Sequence, residues 1–468
     1  MKPVHNERWA IVGGGFLGMT LALRLAQQGK SVTLYEAAPT LGGLASSWQL
    51  GNIVWDRHYH VILSSDTCLL SLLSELGLDD QLHWEKAGTG FYIDSQLHSL
   101  SNFWEFLRFP PLNLADKLRL ALTILRASRT HDWKALERIP VQAWLERWSG
   151  SNVFERVWLP LLRAKLGENY RETSAAFIWA TISRMYAARK NGSKTEFFGY
   201  VPGGYARIIH TFSKLLRRTG VDLKLGLVTQ SIYPTGSGEL QVALTNGESQ
   251  SYDSVAVTMP SPIAARLCPS LKDRERELLN GIKYQGVICA SLLLKRPLAG
   301  FYITNIADDR IPFTAVIEMS ALVDRKNFDG QTLVYLPKYA TSDSEIFRLT
   351  DQQLREKFLA GLELMYPNFD RHDLICFQVS RVKYLLPIPT LGYSVALPPV
   401  NASITGLYLL NSTHIINGTL NINETVQLAE SAARELAAQK DEHRRKDNVF
   451  TQDNRQLIAG SRQPMVLP

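Results

Sequence analysis

The sequence predicts an α/β protein in three parts: a lobe on a parallel sheet, a second lobe on an antiparallel sheet, and a helical insertion. Three observations predict it. A strand–turn–helix–strand pattern, "RWAIVGGGFLGMTLALRLAQQGKSVTLYE", occupies residues 8 to 36. The β-rich runs "GVICASLLL", "TAVIEM" and "TLVYLP" fill residues 286 to 337 with turn residues between them. Residues 103 to 185 read as helices, broken at Pro110-Pro111, Pro140 and Gly150.

Size and composition set the bounds. A chain of 468 residues exceeds one ordinary core, and 45% hydrophobic with 20% charged residues describes a globular protein. No apolar run approaches the ~20 residues needed to span a bilayer. The opening "MKPVHNERW" has no apolar region with a cleavage site behind it, so a cytoplasmic protein is expected. Cys68, Cys268, Cys289 and Cys376 lie far apart without a CxxC pair, which suits a reducing compartment and argues against zinc or disulfides. A net charge of +7 leaves two readings open: solubility, or attraction to anionic substrates or an anionic membrane face. The expected partner is a small molecule, with no nucleic acid and no metal; the oligomeric state is left open.

The opening stretch carries the first chemistry. Gly13, Gly14 and Gly15 follow the first strand directly, with Gly18 inside the helix. In this Rossmann-type pattern Gly13 makes the tight turn, Gly15 admits a pyrophosphate and Gly18 lets helix and strand pack closely. Phe16 and Leu17 start the helix, whose free N–H groups and dipole face the phosphates. Glu36 ends the second strand, placed to accept ribose hydroxyls.

The chain continues "AAPTLGGLASSW", which brings a second glycine pair, Gly42 and Gly43, followed by Leu44. This resembles the extended fingerprint of flavoproteins in the amine oxidase, protoporphyrinogen oxidase and phytoene desaturase superfamily. Three further stretches share the resemblance: "DRHYHVIL" (56 to 63), "GYVPGGYARIIHTFSKLLRRTGVDLKLGLVTQSI" (199 to 232) and "GLYLLNSTHIINGTLNINETVQLAESAAREL" (406 to 436). The resemblance implies FAD as cofactor, His58 beside the flavin, Val228 at the adenine, and Ser412, Thr425 and Val426 in the closing loop and helix near the flavin. It also implies a discontinuous FAD-binding lobe (1–65, 199–262 and 400–438), a substrate lobe (66–102 and 263–399) and a helical subdomain (103–198). Residues 439–468 lack periodicity and are expected to be a mobile tail.

Departures from the family narrow the chemistry. Asn411 and Ser412 stand where relatives carry a Gly-Asp pair, and Glu424 where a glycine starts the last helix. Glu424 either approaches the flavin or faces solvent in a first helical turn. Cys289 stands where amine oxidases carry a lysine beside the flavin, as a redox thiol or a small core residue. His58 and His60 alternate on an extended segment, and His60 reads either as a proton carrier or as a satisfied core histidine. Tyr302, Glu318, Tyr335, Lys338 and Tyr339 fall on substrate-lobe strands, with Glu318 a second candidate catalytic group.

The resemblance implies an FAD-dependent oxidoreductase, oxidase or desaturase, taking hydride from a large, partly apolar substrate such as a tetrapyrrole, isoprenoid or lipid-linked precursor. Alternatives are a non-redox isomerase, similar to UDP-galactopyranose mutase or carotenoid isomerase, and a nonenzymatic flavin-binding relative. In "LADKLRLALTILRASR" (114 to 129), leucines at 114, 118, 122 and 125 share one helix face. That helix either packs on its own lobe or lies in a membrane interface, giving peripheral contact with the inner face of the membrane.

Overall fold

A computed structural model describes residues 6–187, 197–416 and 419–438; the expected mobile tail lies outside the described residues. Five parallel strands form the first sheet, in the order Asp222–Leu225, Ser31–Glu36, Arg8–Val12, Ser254–Val257, Leu407–Leu409. The strands are apolar because both faces are covered. Trp9 and Ile11 face the helices Phe16–Gln27 and Gly204–Arg218, while Ala10 and Val12 face the antiparallel meander of residues 229–252. The helix Thr67–Glu75 packs Leu69, Leu72 and Leu73 into the same core as Trp9 and Ile11. It therefore joins the nucleotide lobe, where the sequence reading placed it in the substrate lobe. The reason is a cap: the side chain of Asn423 accepts the N–H groups of Cys68 and Leu69, tying this helix to the last one.

The second sheet has seven strands, antiparallel except where Ile303–Ile306 runs parallel to Thr89–Ile93. Its long strand Tyr284–Leu294, one in from the edge, is buried throughout. Pleating sorts the side chains: Val287, Cys289, Leu293 and Tyr335 face the hairpin of residues 47–56 and the strand Phe197–Tyr200. Ile288, Ala290, Leu292, Val334 and Leu336 face the helix Asp351–Met365. The helical insertion packs around Trp144, Phe154 and Leu162 and leans on this sheet through Phe91, Ile93 and Leu386.

Candidate active site

Two glycine runs are laced together at the start of the first helix. Gly13 adopts φ +116° and donates its N–H to the Tyr35 carbonyl at 2.9 Å. A Cβ on Gly18 would stand 1.9 Å from the Gly13 carbonyl oxygen, so only glycine lets the helix sit this close. Gly42 donates to the Gly14 carbonyl at 2.8 Å, which holds Gly42 and Gly43 against Gly15. Glu36 receives the N–H of Gly14 on Oε2 at 2.7 Å and that of Ala38 on Oε1 at 2.8 Å. Both carboxylate oxygens are thus aimed, and each keeps a further lone pair for a ligand hydroxyl.

The chain then crosses to the second sheet. Residues 56–60 are stitched to it by three hydrogen bonds. Tyr335 Oη donates to the Asp56 carbonyl at 2.6 Å, Tyr59 and Tyr339 share a hydroxyl bond of 2.8 Å, and His58 Nε2 meets Ser380 Oγ at 3.1 Å. On its other side His58 Nδ1 donates to the Leu44 carbonyl at 3.0 Å, so Nε2 is the acceptor and Ser380 the donor. One imidazole therefore spans both lobes. Burial holds it neutral, pulling its pKa down to about 4. His60 turns the other way: its ring lies 5.0 Å from that of Tyr205, and Nδ1 donates to the His58 carbonyl at 2.9 Å. Burial lowers His60 to about 3. The two histidines do not share a face.

The family model of flavin-containing amine oxidoreductases matches residues 18–437, nearly the whole chain. The chain belongs to the flavin-containing amine oxidoreductase family. The chloroplastic/chromoplastic 15-cis-phytoene desaturase of Arabidopsis thaliana is 23% identical over 82% of this chain and 70% of its own. Among solved structures, a putative protoporphyrinogen oxidase from Exiguobacterium sp. 255-15 superposes with a TM-score of 0.72 at 19% identity, covering 92% of this chain and 99% of that one. Reduced UDP-galactopyranose mutase gives 0.71 at 16% identity, over 92% and 96%. These structural likenesses show the shared fold.

The family's flavin is FAD, and the cradle suits it. Beside Gly15 no atom lies within 4 Å of where a Cβ would stand, leaving room for a pyrophosphate. Phe16 and Leu17 offer only backbone N–H groups, because both side chains are buried and Phe16 packs on Tyr205 and Phe212. Leu44 is partly exposed beside the glycine pair. Val228 is 45% exposed just beyond the Gly226 and Leu227 N–H groups, which bond to Ala38 and Glu36 carbonyls. At the other end, Ser412 lies beside the Tyr284 hydroxyl, while Asn411 is spent on Thr413 and Ser261. Thr425 donates to the Asn421 carbonyl at 2.7 Å and Val426 is fully buried in the lobe core. Glu424 does not face open solvent. It is half-buried near Arg184 and Asp66, and burial raises its pKa against the opposing effects of Asn423 and Arg184.

Two sequence candidates fall on the far side of the sheet. Glu318 pairs with Val334, on the face covered by Asp351–Met365. Its carboxylate accepts the N–H groups of Leu298, Ala299 and Gly300 at 3.2, 3.2 and 3.0 Å, which makes it a loop cap rather than a catalytic acid. Lys338 pairs with Ile288 and shares that face. Sequence reasoning missed Ser380, Tyr59 and Lys165, whose Nζ donates to Tyr339 Oη at 3.3 Å. None of the three left a signal in the sequence; Ser380 is placed only by its register opposite Cys289. Cys289 itself is buried, and burial pushes its thiol well above the ordinary range, so it stays protonated and inert.

Proposed function

We propose that the protein is an FAD-dependent oxidoreductase, oxidase or desaturase, that takes hydride from a C–H bond of a large, partly apolar substrate. The observation that carries this reading is the junction between the cradle and the second sheet. There, residues 56–60 meet a face of Cys289, Val287, Tyr335 and Ser380, with no lysine where amine oxidases carry one. Bound FAD supplies a hydride acceptor. Gly15, with Gly42 and Gly43 beside it, would hold its pyrophosphate by close backbone approach, helped by the N–H groups of Phe16 and Leu17, while Gly13 makes the turn and Gly18 lets the helix sit close. Glu36 would hold the ribose, Val228 would lie at the adenine, and His58, Leu44, Ser412 and Thr425 would border the flavin. His58 fixes the spacing of the lobes. His60, with its pKa near 3, is neutral at neutral pH and takes a second proton poorly, so it orients a donor through Nε2 rather than carrying protons. The Tyr335 and Tyr302 side chains, both buried, help to exclude water.

One observation favours a second reading. The polar chain Lys165–Tyr339–Tyr59 runs from the exposed insertion to the junction and suits an anionic substrate of a non-redox isomerase. Anaerobic mixing separates the two. Bleaching of the oxidised flavin by a detergent-solubilised polyene or porphyrinogen supports the oxidoreductase. Turnover only after chemical reduction of the flavin, with no net bleaching, assigns the isomerase.

A further inference from the structure

The helix Leu114–Arg129 is packed the opposite way round from an ordinary surface helix. Asp116, Lys117, Leu120, Thr123 and Ala127 are buried, while Leu114, Leu118 and Leu122 are 71%, 62% and 54% exposed. At about 100° per residue, these three leucines and Leu125 lie within an arc of about 80°, opposite Leu120 and Ala127. Specific bonds hold this orientation. Lys117 Nζ donates to the Leu107 carbonyl at 2.8 Å, and Asn152 Nδ2 donates to Asp116 Oδ2 at 2.6 Å. The adjoining helix Phe103–Arg108 adds Trp104, 66% exposed, and Leu107. A helix that buries Asp116 and Lys117 and turns its leucines outward needs something apolar to cover it.

The charges say what covers it. Arg108, Arg119, Arg126 and Arg129 are all exposed, and none forms an ion pair among the described residues. Arg119 and Arg126 flank the leucine row about 80–100° from Leu118, and Arg129 continues it at the helix end. The acids of the two helices do not balance them: Asp116 is buried, and Glu105 is taken up by Ser99 and Ser101. A second copy docking antiparallel through this face would bring the arginine flanks together. An anionic bilayer surface answers both features, with leucines in the acyl boundary and guanidinium groups at the phosphates.

We propose that the exposed face of Leu114–Arg129, with Trp104 and Leu107, docks the protein on an anionic lipid bilayer. The docking face owes nothing to the redox chemistry, so vesicle binding and flavin reduction succeed or fail separately. The test is co-sedimentation of the full-length holoprotein with vesicles of phosphatidylcholine alone or mixed with phosphatidylglycerol. The wild type is expected in the pellet with the mixed vesicles at low salt, and released as salt rises. Replacing Leu114, Leu118 and Leu122 together by Ser should cut partitioning at least tenfold. Reversing Arg108, Arg119 and Arg129 to Glu should cut it by roughly a hundredfold or more, since each basic residue contributes about fivefold. Both variants should keep wild-type flavin absorbance and melting temperature, because the altered side chains are exposed. Wild type remaining in the supernatant, or a leucine variant that sediments like wild type, overturns the proposal. So does a wild-type dimer that the leucine variant dissolves, which would make the face an interface between copies.

Discussion

Gly15 and Gly18 stand less than one helical turn apart, yet a side chain would meet different neighbours at each. The space beside Gly15 is open, so Gly15→Val should fold with near wild-type stability and purify without flavin colour. Retention of a full flavin spectrum in that variant would falsify the cradle assignment. Gly18→Ala places a methyl group against the Gly13 carbonyl and should cost about 1–3 kcal/mol or more in urea unfolding. His60 makes a pH-dependent claim. Burial, and secondarily the neighbouring His58, lowers its folded pKa to about 3 against 6.5 for the free side chain. Protons therefore favour the unfolded chain: stability is complete above about pH 6.5 and falls as pH drops towards 3, by a few kcal/mol in all. His60→Asn keeps a donor for the His58 carbonyl but does not titrate. Urea midpoints at pH 7 and 4.5 should differ less for this variant than for wild type, and an equal difference would show that His60 is not the titrating group.

At the scale of elements, Leu114–Arg129 offers a direct comparison. Leu120 faces the insertion core and Leu118 faces outward. Leu120→Ala should cost about 2–4 kcal/mol, whereas Leu118→Ala should stay within about 0.5 kcal/mol, both read by denaturant unfolding. Equal losses would mean that the helix is rotated from the orientation described. The leucine stripe was legible in the sequence, but its direction was not. Direction depends on the Leu107 carbonyl and Asn152, and a periodic pattern contains neither. The substrate-lobe strands show the same limit. Their composition announces strands, but only cross-strand register puts Cys289 and Tyr335 on one face and Glu318 and Lys338 on the other. The opening strand–helix–strand unit was legible throughout, because its glycines, helix start and acidic strand end are local and each has one geometric task.

Across the whole molecule, local signals gave way to contacts between distant segments. The cofactor lobe could be assembled from three stretches of sequence because each carries its own glycine or cap pattern. The helix Thr67–Glu75 carries none, and the bond from Asn423 that assigns it spans most of the chain. Ser380 and Lys165 were invisible for the same reason. Asp56 shows what such long-range ties do mechanically. Its carboxylate accepts the N–H of Tyr205 at the start of Gly204–Arg218, close enough that a Cβ on Gly204 would collide with it, while its carbonyl receives the Tyr335 hydroxyl. One residue thus pins a helix of the nucleotide lobe and a strand of the second sheet to the same short peptide. The lobes cannot hinge apart at this point without breaking one attachment or the other. The helical insertion is fastened as well: the Ser174 N–H donates to the Pro389 carbonyl, the Gly392 N–H to the Glu137 carbonyl, and Ser394 to the Glu137 carboxylate. Asp56 is the pin that keeps cradle and sheet in register.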